Sequence, residues 1–325
     1  MRERSTSHVV TIGSFDGVHL GHQFLLRLVV DEAARLSCGS AAITFDPLPP
    51  ELLRPDAAPP RLTTTADRLA LIEAQGIDTV RLIPFTRELS ELSPEAFIQT
   101  LASELQPLEI VVGADFRFGH RRAGTIEVLR ELGQRYGFEV RVLDRIGDVE
   151  TDFSSSRVRA ALGAGEVETA AALLGRPYFL RGTVVVGEQR GRLLGFPTAN
   201  LAFAERLTIP DDGIYAGVAR LDDDASLIPA MIYIGSRPTF DGRERSVEVN
   251  LLDFDRDIYG HQLAVVFANR IRGDLHFDSV DSLIKQMNGD REQSIAKLTE
   301  LPAWWPGEPL TVILGVGEGA IRGHE

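Results

Sequence analysis

Cysteine and lysine are almost missing from this chain. Cys38 is the single cysteine among 325 residues, so no intrachain disulfide can form and a reducing compartment is expected. Lys285 and Lys297 are the only lysines, and no G-x-x-x-x-G-K-[ST] loop occurs. Any ATP chemistry is therefore not that of a P-loop. No apolar run approaches the ~20 residues that span a bilayer. The N-terminal MRERSTSHVV runs into Gly and Asp without a small-residue cleavage site, which predicts a cytoplasmic protein with no membrane partner. Positive charge is short too: the formal net charge is −13, which argues against a nucleic-acid partner because its phosphates would be repelled. A small phosphate ligand stays compatible, since helix termini, arginines and metal ions set the local field.

What is present suits a globular protein with a real core. Hydrophobic residues make up 44% and charged residues 25%, and the length fits two domains more comfortably than one. The first half alternates. HVVTIG reads as a strand and HQFLLRLVVDEAARL as a helix with Leu25, Leu28, Val29 and Leu36 on one stripe. AAITF, TVRLIPF, EIVVG and FEVRVL continue as strands, with TTTADRLALIEAQG, SPEAFIQTLASEL and GTIEVLRELGQRYG as helices between them. Ser93 is placed to cap one of these, with Pro94 at its first position. The alternation predicts an α/β domain of Rossmann-like type, a parallel sheet covered on both faces.

After GRPY (175–178) the rhythm changes. Five β-rich runs follow, from YFLRGTVVVG to QLAVVFANRI, separated by Gly, Pro and Asp turns with no helix between them. This predicts an antiparallel barrel or sandwich. A last helix is expected near DSVDSLIKQMNGDREQSIAKL, interrupted or strained at Asn288–Gly289. The expected limits are 1–175 and 176–300, with 301–325 a tail of no assigned role.

TIGSFDGVHLGH (11–22) sits where a strand ends and a helix begins. Gly13 and Gly17 permit tight backbone there, and Gly21 lets the chain turn into the helix. A helix N-terminus offers free N–H groups and a positive dipole end, suited to phosphate. His19 and His22 add donors beside it, as attack on a nucleotide phosphate requires when charge moves onto the leaving group. In the second half GFPTAN offers Thr198 and Asn200, hard oxygen ligands of the kind Mg²⁺ accepts. In SVEVNLL the period of two puts Glu248 and Asn250 on one strand face, with Val247, Val249 and Leu251 on the other.

GSFDGVHLGH, GADFRFG (113–119) and SSSRVR (154–159) together resemble the N-terminal half of the bifunctional riboflavin kinase/FMN adenylyltransferase (FAD synthetase) family. GRLLGFPTANL, GIYAG, GSRPTF, VEVNLLDFDRDIYG and FANRIRGDLHFDS are similar to its second half, in the family's order. The resemblance implies an N-terminal nucleotidyltransferase domain and a C-terminal riboflavin kinase barrel ending in a helix. It implies ATP as co-substrate, Mg²⁺ as cofactor, and riboflavin, FMN and FAD as ligands, in a monomer or weak oligomer.

By the same resemblance, His19 and His22 contact the ATP phosphates, in a nucleotide loop of Gly13, Phe15, Asp16, Gly17 and Gly21. Asp115 and Phe116 line the flavin site. Ser155, Ser156 and Arg159 hold phosphates at a helix start. Gly195 belongs to the kinase nucleotide loop, Thr198 and Asn200 hold the metal, and Glu248 is the general base for the riboflavin hydroxyl. Some positions depart from the family: Ser14 for Asn, Leu48 for a polar residue that is usually His, Ser156 for Thr, Asp152 where arginine is common, and Asn250 where many relatives have histidine. Leu48 and Asp152 remove donors from a phosphate site, and Asp152 reverses charge. Two alternatives are a riboflavin kinase with a weakened or altered adenylyltransferase half, and a non-catalytic flavin-binding protein.

Overall fold

The computed structural model describes residues 7–143, 153–187, 191, 194–222, 224, 226–239, 242–301 and 305. Asp152 and most of the tail lie outside them. The chain forms two compact units, one of Met1–Pro59 with Thr65–Ser154 and the other of Pro60–Thr64 with Ser155–Glu325.

In the first unit five strands, β1 (His8–Ile12), β2 (Gly39–Asp46), β3 (Thr79–Pro84), β4 (Pro107–Gly113) and β5 (Glu139–Leu143), form one sheet. Their order is β3-β2-β1-β4-β5, and every pairing is parallel. Helices α1 (Leu20–Leu36), α2 (Pro49–Leu53), α3 (Thr65–Glu73), α4 (Arg87–Glu91), α5 (Pro94–Leu105) and α6 (Ile126–Tyr136) connect them. Alternate residues of β1 go to opposite faces: Val10 and Ile12 join the core under α5 and α6 with Ile98, Leu101 and Leu129. Ser93 caps α5 through the Ala96 N–H, with Pro94 first in the helix as expected. The stripe of α1 is rotated by about one residue from the expected one. Leu26, Val29 and Ala33 are its buried apolar positions, while Leu25, Leu28 and Leu36 are half-buried. Central β1 pairs with β4, so the loops that follow these two strands leave the sheet side by side at its carboxyl end, where such sheets bind ligands.

The second unit is a closed barrel of order β10-β7-β6-β11-β8-β9, made of β6 (Phe179–Val185), β7 (Ala199–Ala202), β8 (Gly213–Leu221), β9 (Ile228–Thr239), β10 (Gly242–Leu251) and β11 (Gln262–Arg272). All its pairings are antiparallel, and closure leaves no open edge. Helices α7 (Ser155–Gly163) and α8 (Val167–Leu174) belong to this unit. Arg270 of β11 fastens them: its Nη1 donates to the Ala164 carbonyl at 2.9 Å, and its backbone N–H donates to Glu168 Oε1 at 3.2 Å. The short segment 60–64 is stitched into the same unit, with the Pro60 carbonyl accepting from Arg159 Nε at 2.7 Å and from Thr208 Oγ1 at 3.1 Å.

The last helix, α9 (Val280–Thr299), corrects the expected interruption at Asn288–Gly289, because its 20 residues run through both without a break. A β-carbon at Gly289 would meet nothing, so this glycine costs helix propensity and no packing. The next residue holds the helix in place. Asp290 is fully buried and receives Arg272 Nη2 at 2.7 Å and Gln286 Nε2 at 2.8 Å.

Candidate functional sites

In the first unit the loop after β1 is wound tightly. Phe15, Gly17 and Val18 all have left-handed backbone, with φ of 49, 79 and 40°. For a bulky aromatic and a β-branched residue that conformation is strained by about 1–3 kcal/mol each. The surrounding structure imposes it. Fully buried Arg68 donates to the Ser14 carbonyl at 3.4 Å and to the Phe45 carbonyl at 2.7 Å. Thr44 Oγ1 donates to the Ser14 carbonyl at 3.1 Å, and Gln23 Nε2 to the Val18 carbonyl at 2.9 Å. Sequence reasoning missed these anchors. An arginine three and four residues before buried Leu71 and Ile72 was the one visible sign.

This winding delivers His19 to the N-cap of α1, where its Nδ1 accepts from the His22 backbone N–H at 3.4 Å. The helix therefore starts at Leu20, not near His22. A ring nitrogen that accepts carries no proton, so His19 presents its other nitrogen, Nε2, as the donor. The two imidazoles stack with centroids 3.7 Å apart and 20° between planes. Phe15 stands edge-on to His22 at 5.2 Å. Gly21 leaves room for this stack, since a β-carbon there would come within 3.2 Å of His19 Nδ1 and press on the ring. Burial first and the neighbouring His19 second hold His22 well below the ordinary imidazole range. It is therefore neutral at pH 7, and its buried Nδ1 has no hydrogen-bond partner among the described residues.

Asp115 and Phe116 follow β4, whose loop leaves beside that of β1. Asp115 is exposed, and Phe116 stacks on Phe118 with centroids 5.4 Å apart. Leu48 is buried, with its N–H donating to Glu51 Oε2 at 2.7 Å. Ser155 and Ser156 open α7 and, with Arg159, belong to the barrel unit, whereas the histidine pair belongs to the other. Asp152 lies outside the described residues.

In the barrel the second constellation assembles from β7, β10 and the loop before β7. Thr198 Oγ1 donates to Glu248 Oε2 at 3.2 Å. Glu248 pairs across the ladder with Asn200. A β-carbon at Gly187 would fall 2.2 Å from Asn200 Nδ2, so only glycine lets that carboxamide lie there. Gly195 has φ of 84° with open space around it, the geometry of a loop that turns without side-chain crowding. Asn250, on the same face as Glu248, is buried and donates to the Pro197 carbonyl at 2.7 Å.

Comparison with known proteins divides the chain along similar lines. Residues 1–157 match the family model described as FAD synthetase, and residues 174–298 match that of riboflavin kinase. The bifunctional riboflavin kinase/FMN adenylyltransferase of Escherichia coli (strain K12) is 37% identical over 283 residues, 87% of this chain and 90% of the relative. Its counterpart in Bacillus subtilis (strain 168) is 32% identical over 306 residues, covering 93% and 96%. A crystal structure described as a macrolide-efflux protein from Streptococcus pneumoniae superposes with a TM-score of 0.79 at 33% identity, covering 90% of this chain and 95% of that one. Among the described residues no helix is long and apolar enough to cross a membrane. The chain belongs to the bifunctional riboflavin kinase/FMN adenylyltransferase family.

Proposed function

We infer that this chain makes flavin cofactors in two ATP-dependent steps, phosphorylating riboflavin to FMN and adenylylating FMN to FAD with release of pyrophosphate. The observation that carries this is the presence of both family halves in one chain. Residues 1–175 are taken to carry adenylyl transfer and 176–300 phosphorylation, with no role assigned to the tail. A cytoplasmic location fits the use of ATP and the single thiol.

For phosphorylation, Glu248 accepts the proton of the riboflavin primary hydroxyl as its oxygen attacks the γ-phosphorus of ATP and ADP leaves. The Thr198 hydroxyl and the Asn200 carboxamide would hold Mg²⁺. That ion keeps several waters and phosphate oxygens, so two neutral hard donors suit it, and when bound it supplies charge neutralisation at the phosphates. Gly195 lies in the loop that leads to these donors.

Adenylyl transfer needs no base, because the FMN phosphate is already ionised. One of its oxygens attacks the α-phosphorus of ATP, and the bond to pyrophosphate breaks. His19 and neutral His22 donate N–H groups to the charge that grows on the leaving group, at the dipole end of α1. Gly13, Phe15, Asp16, Gly17 and Gly21 shape that loop, Asp115 and Phe116 contact the flavin, and Ser155, Ser156 and Arg159 bind phosphates. The test is chromatography of flavins after incubation with riboflavin, ATP and Mg²⁺. FAD supports the full reading. FMN alone restricts the enzyme to the kinase step; neither product refutes the kinase step, and incubation with supplied FMN and ATP then tests adenylyl transfer by itself.

A further inference from the structure

We propose that Asn250 is a positioning residue of the phosphorylation site, whose carboxamide sets the Pro197–Thr198 peptide against Glu248. The proposal rests on the reading of the barrel as the phosphorylating unit. β10 and β7 pair with Glu248 opposite Asn200 and Val249 opposite Ala199. One further step along this register brings Asn250 opposite Thr198. The ladder stops short of that step, since β7 begins at Ala199 and Pro197 has no N–H to donate. The Asn250 side chain takes the place of the missing rung, its Nδ2 donating to the Pro197 carbonyl at 2.7 Å.

The consequence reaches the reacting groups through one residue. Glu248 and Asn250 share a strand face, so a single face of β10 grips the loop twice, at the Pro197 carbonyl and at the Thr198 hydroxyl. The direction of the second grip matters. Thr198 has one hydroxyl hydrogen, and by donating it to Glu248 it keeps its oxygen lone pairs for a cation. If the Pro197 carbonyl were released, the hydroxyl would lose its fixed direction, and metal ligand and base would lose alignment together. Asn250 is only 6% exposed, so water does not readily replace its amide, and its removal leaves a carbonyl poorly satisfied.

The experiment compares the full chain with Asn250→Ala, Asn250→Asp and Asn250→His. Binding of ADP is titrated calorimetrically over a range of Mg²⁺ concentrations without turnover, and kcat and KM for riboflavin phosphorylation are measured beside it. For Asn250→Ala the Mg²⁺-dependent part of ADP binding is expected to weaken about fivefold, the scale of one lost neutral hydrogen bond. A similar fall in kcat should accompany it, with the riboflavin KM within about twofold of the parent. Asn250→Asp turns a carboxylate toward the Pro197 carbonyl and should do worse. Asn250→His keeps an N–H donor and should restore most of the loss. Parent-like Mg²⁺ dependence and kcat in Asn250→Ala overturn the proposal. So does a uniform loss, including FAD formation from FMN, that the histidine variant does not rescue. A parent chain that forms no FMN refutes the underlying reading instead, and is recognised before any variant is compared.

Discussion

The imidazole rings of His19 and His22 lie face to face, 3.7 Å between centroids, with the backbone N–H of one residue directed at the ring of the other. Two stacked imidazoles cannot both carry charge cheaply, and burial together with the neighbouring His19 keeps His22 neutral at pH 7. His22→Ala removes one donor and a face of the stack. FAD formation from supplied FMN should fall by ~10²–10³-fold, the usual effect of losing one transition-state donor. Riboflavin phosphorylation should survive. Equal loss of both activities would contradict separate sites.

The same pair predicts a pH dependence of stability. In the unfolded chain His22 takes up a proton as the pH falls through its ordinary value of 6.5, while in the folded chain it stays neutral to lower pH. The unfolded state then binds more protons, so stability declines as pH drops below that value. One such histidine contributes a slope of at most about 1.4 kcal/mol per pH unit. His22→Gln should flatten the denaturant midpoint between about pH 6.5 and 5. Glu32, held at about 2 by Arg35 foremost, acts only below its ordinary 4.5, so the two windows separate. An unchanged slope in His22→Gln would assign the effect elsewhere.

Glu248→Gln keeps size and hydrogen bonding but cannot accept a proton. FMN formation should fall by ~10²–10⁴-fold, with FAD formation from FMN nearly unchanged. Near-normal phosphorylation by this variant would remove Glu248 from the role of base.

Removing the partner of a buried carboxylate is costly in a different currency. Arg272→Ala strips fully buried Asp290 of a two-pronged grip. Breaking such a pair typically destabilises by about 3–5 kcal/mol. Urea unfolding should register this as a lower midpoint. A shift under about 1 kcal/mol would mean that Gln286 and water suffice for Asp290.

Much of this architecture was legible in the sequence because its signals are local. The alternation of strands and helices, the Ser93–Pro94 helix start and the turn-separated strands of the second half each follow from neighbours along the chain. The loop at 13–22 could be read as a tight turn into a helix. What could not be read depends on distant partners. Arg68 resembles any helix-surface arginine until the sheet closes over it. β7 is four residues long and follows a proline, so no periodicity marks it. Asn288–Gly289 resembles a helix stop, yet the helix runs through it to Thr299, with Asp290 held by Arg272 from a distant strand. Asn250 was visible as a residue on the face of Glu248, but its hold on Pro197 depends on a loop some fifty residues away in sequence.

The grouping of α7 and α8 with the barrel bears on how the protein can be dissected. A fragment that begins at residue 176 loses both helices, including buried Val167, Leu173 and Leu174, each of which contributes about 1.5–3 kcal/mol of burial. It also loses the partners of Arg270 at Ala164 and Glu168. Such a fragment should unfold at lower denaturant than one beginning at residue 153. Equal midpoints would show that the helices are passengers on the barrel.

Segment 60–64 extends that point to the order of the gene. The polypeptide passes between its two units at 59/60, 64/65 and 154/155, so no single break in the coding sequence yields both units whole. Wherever the cut falls after residue 64, five residues of the barrel unit stay with the other fragment. The two halves of this protein can be exchanged with those of relatives only as interleaved pieces, and a chimaera joined at one seam inherits a mismatched strap where Pro60 meets Arg159 and Thr208.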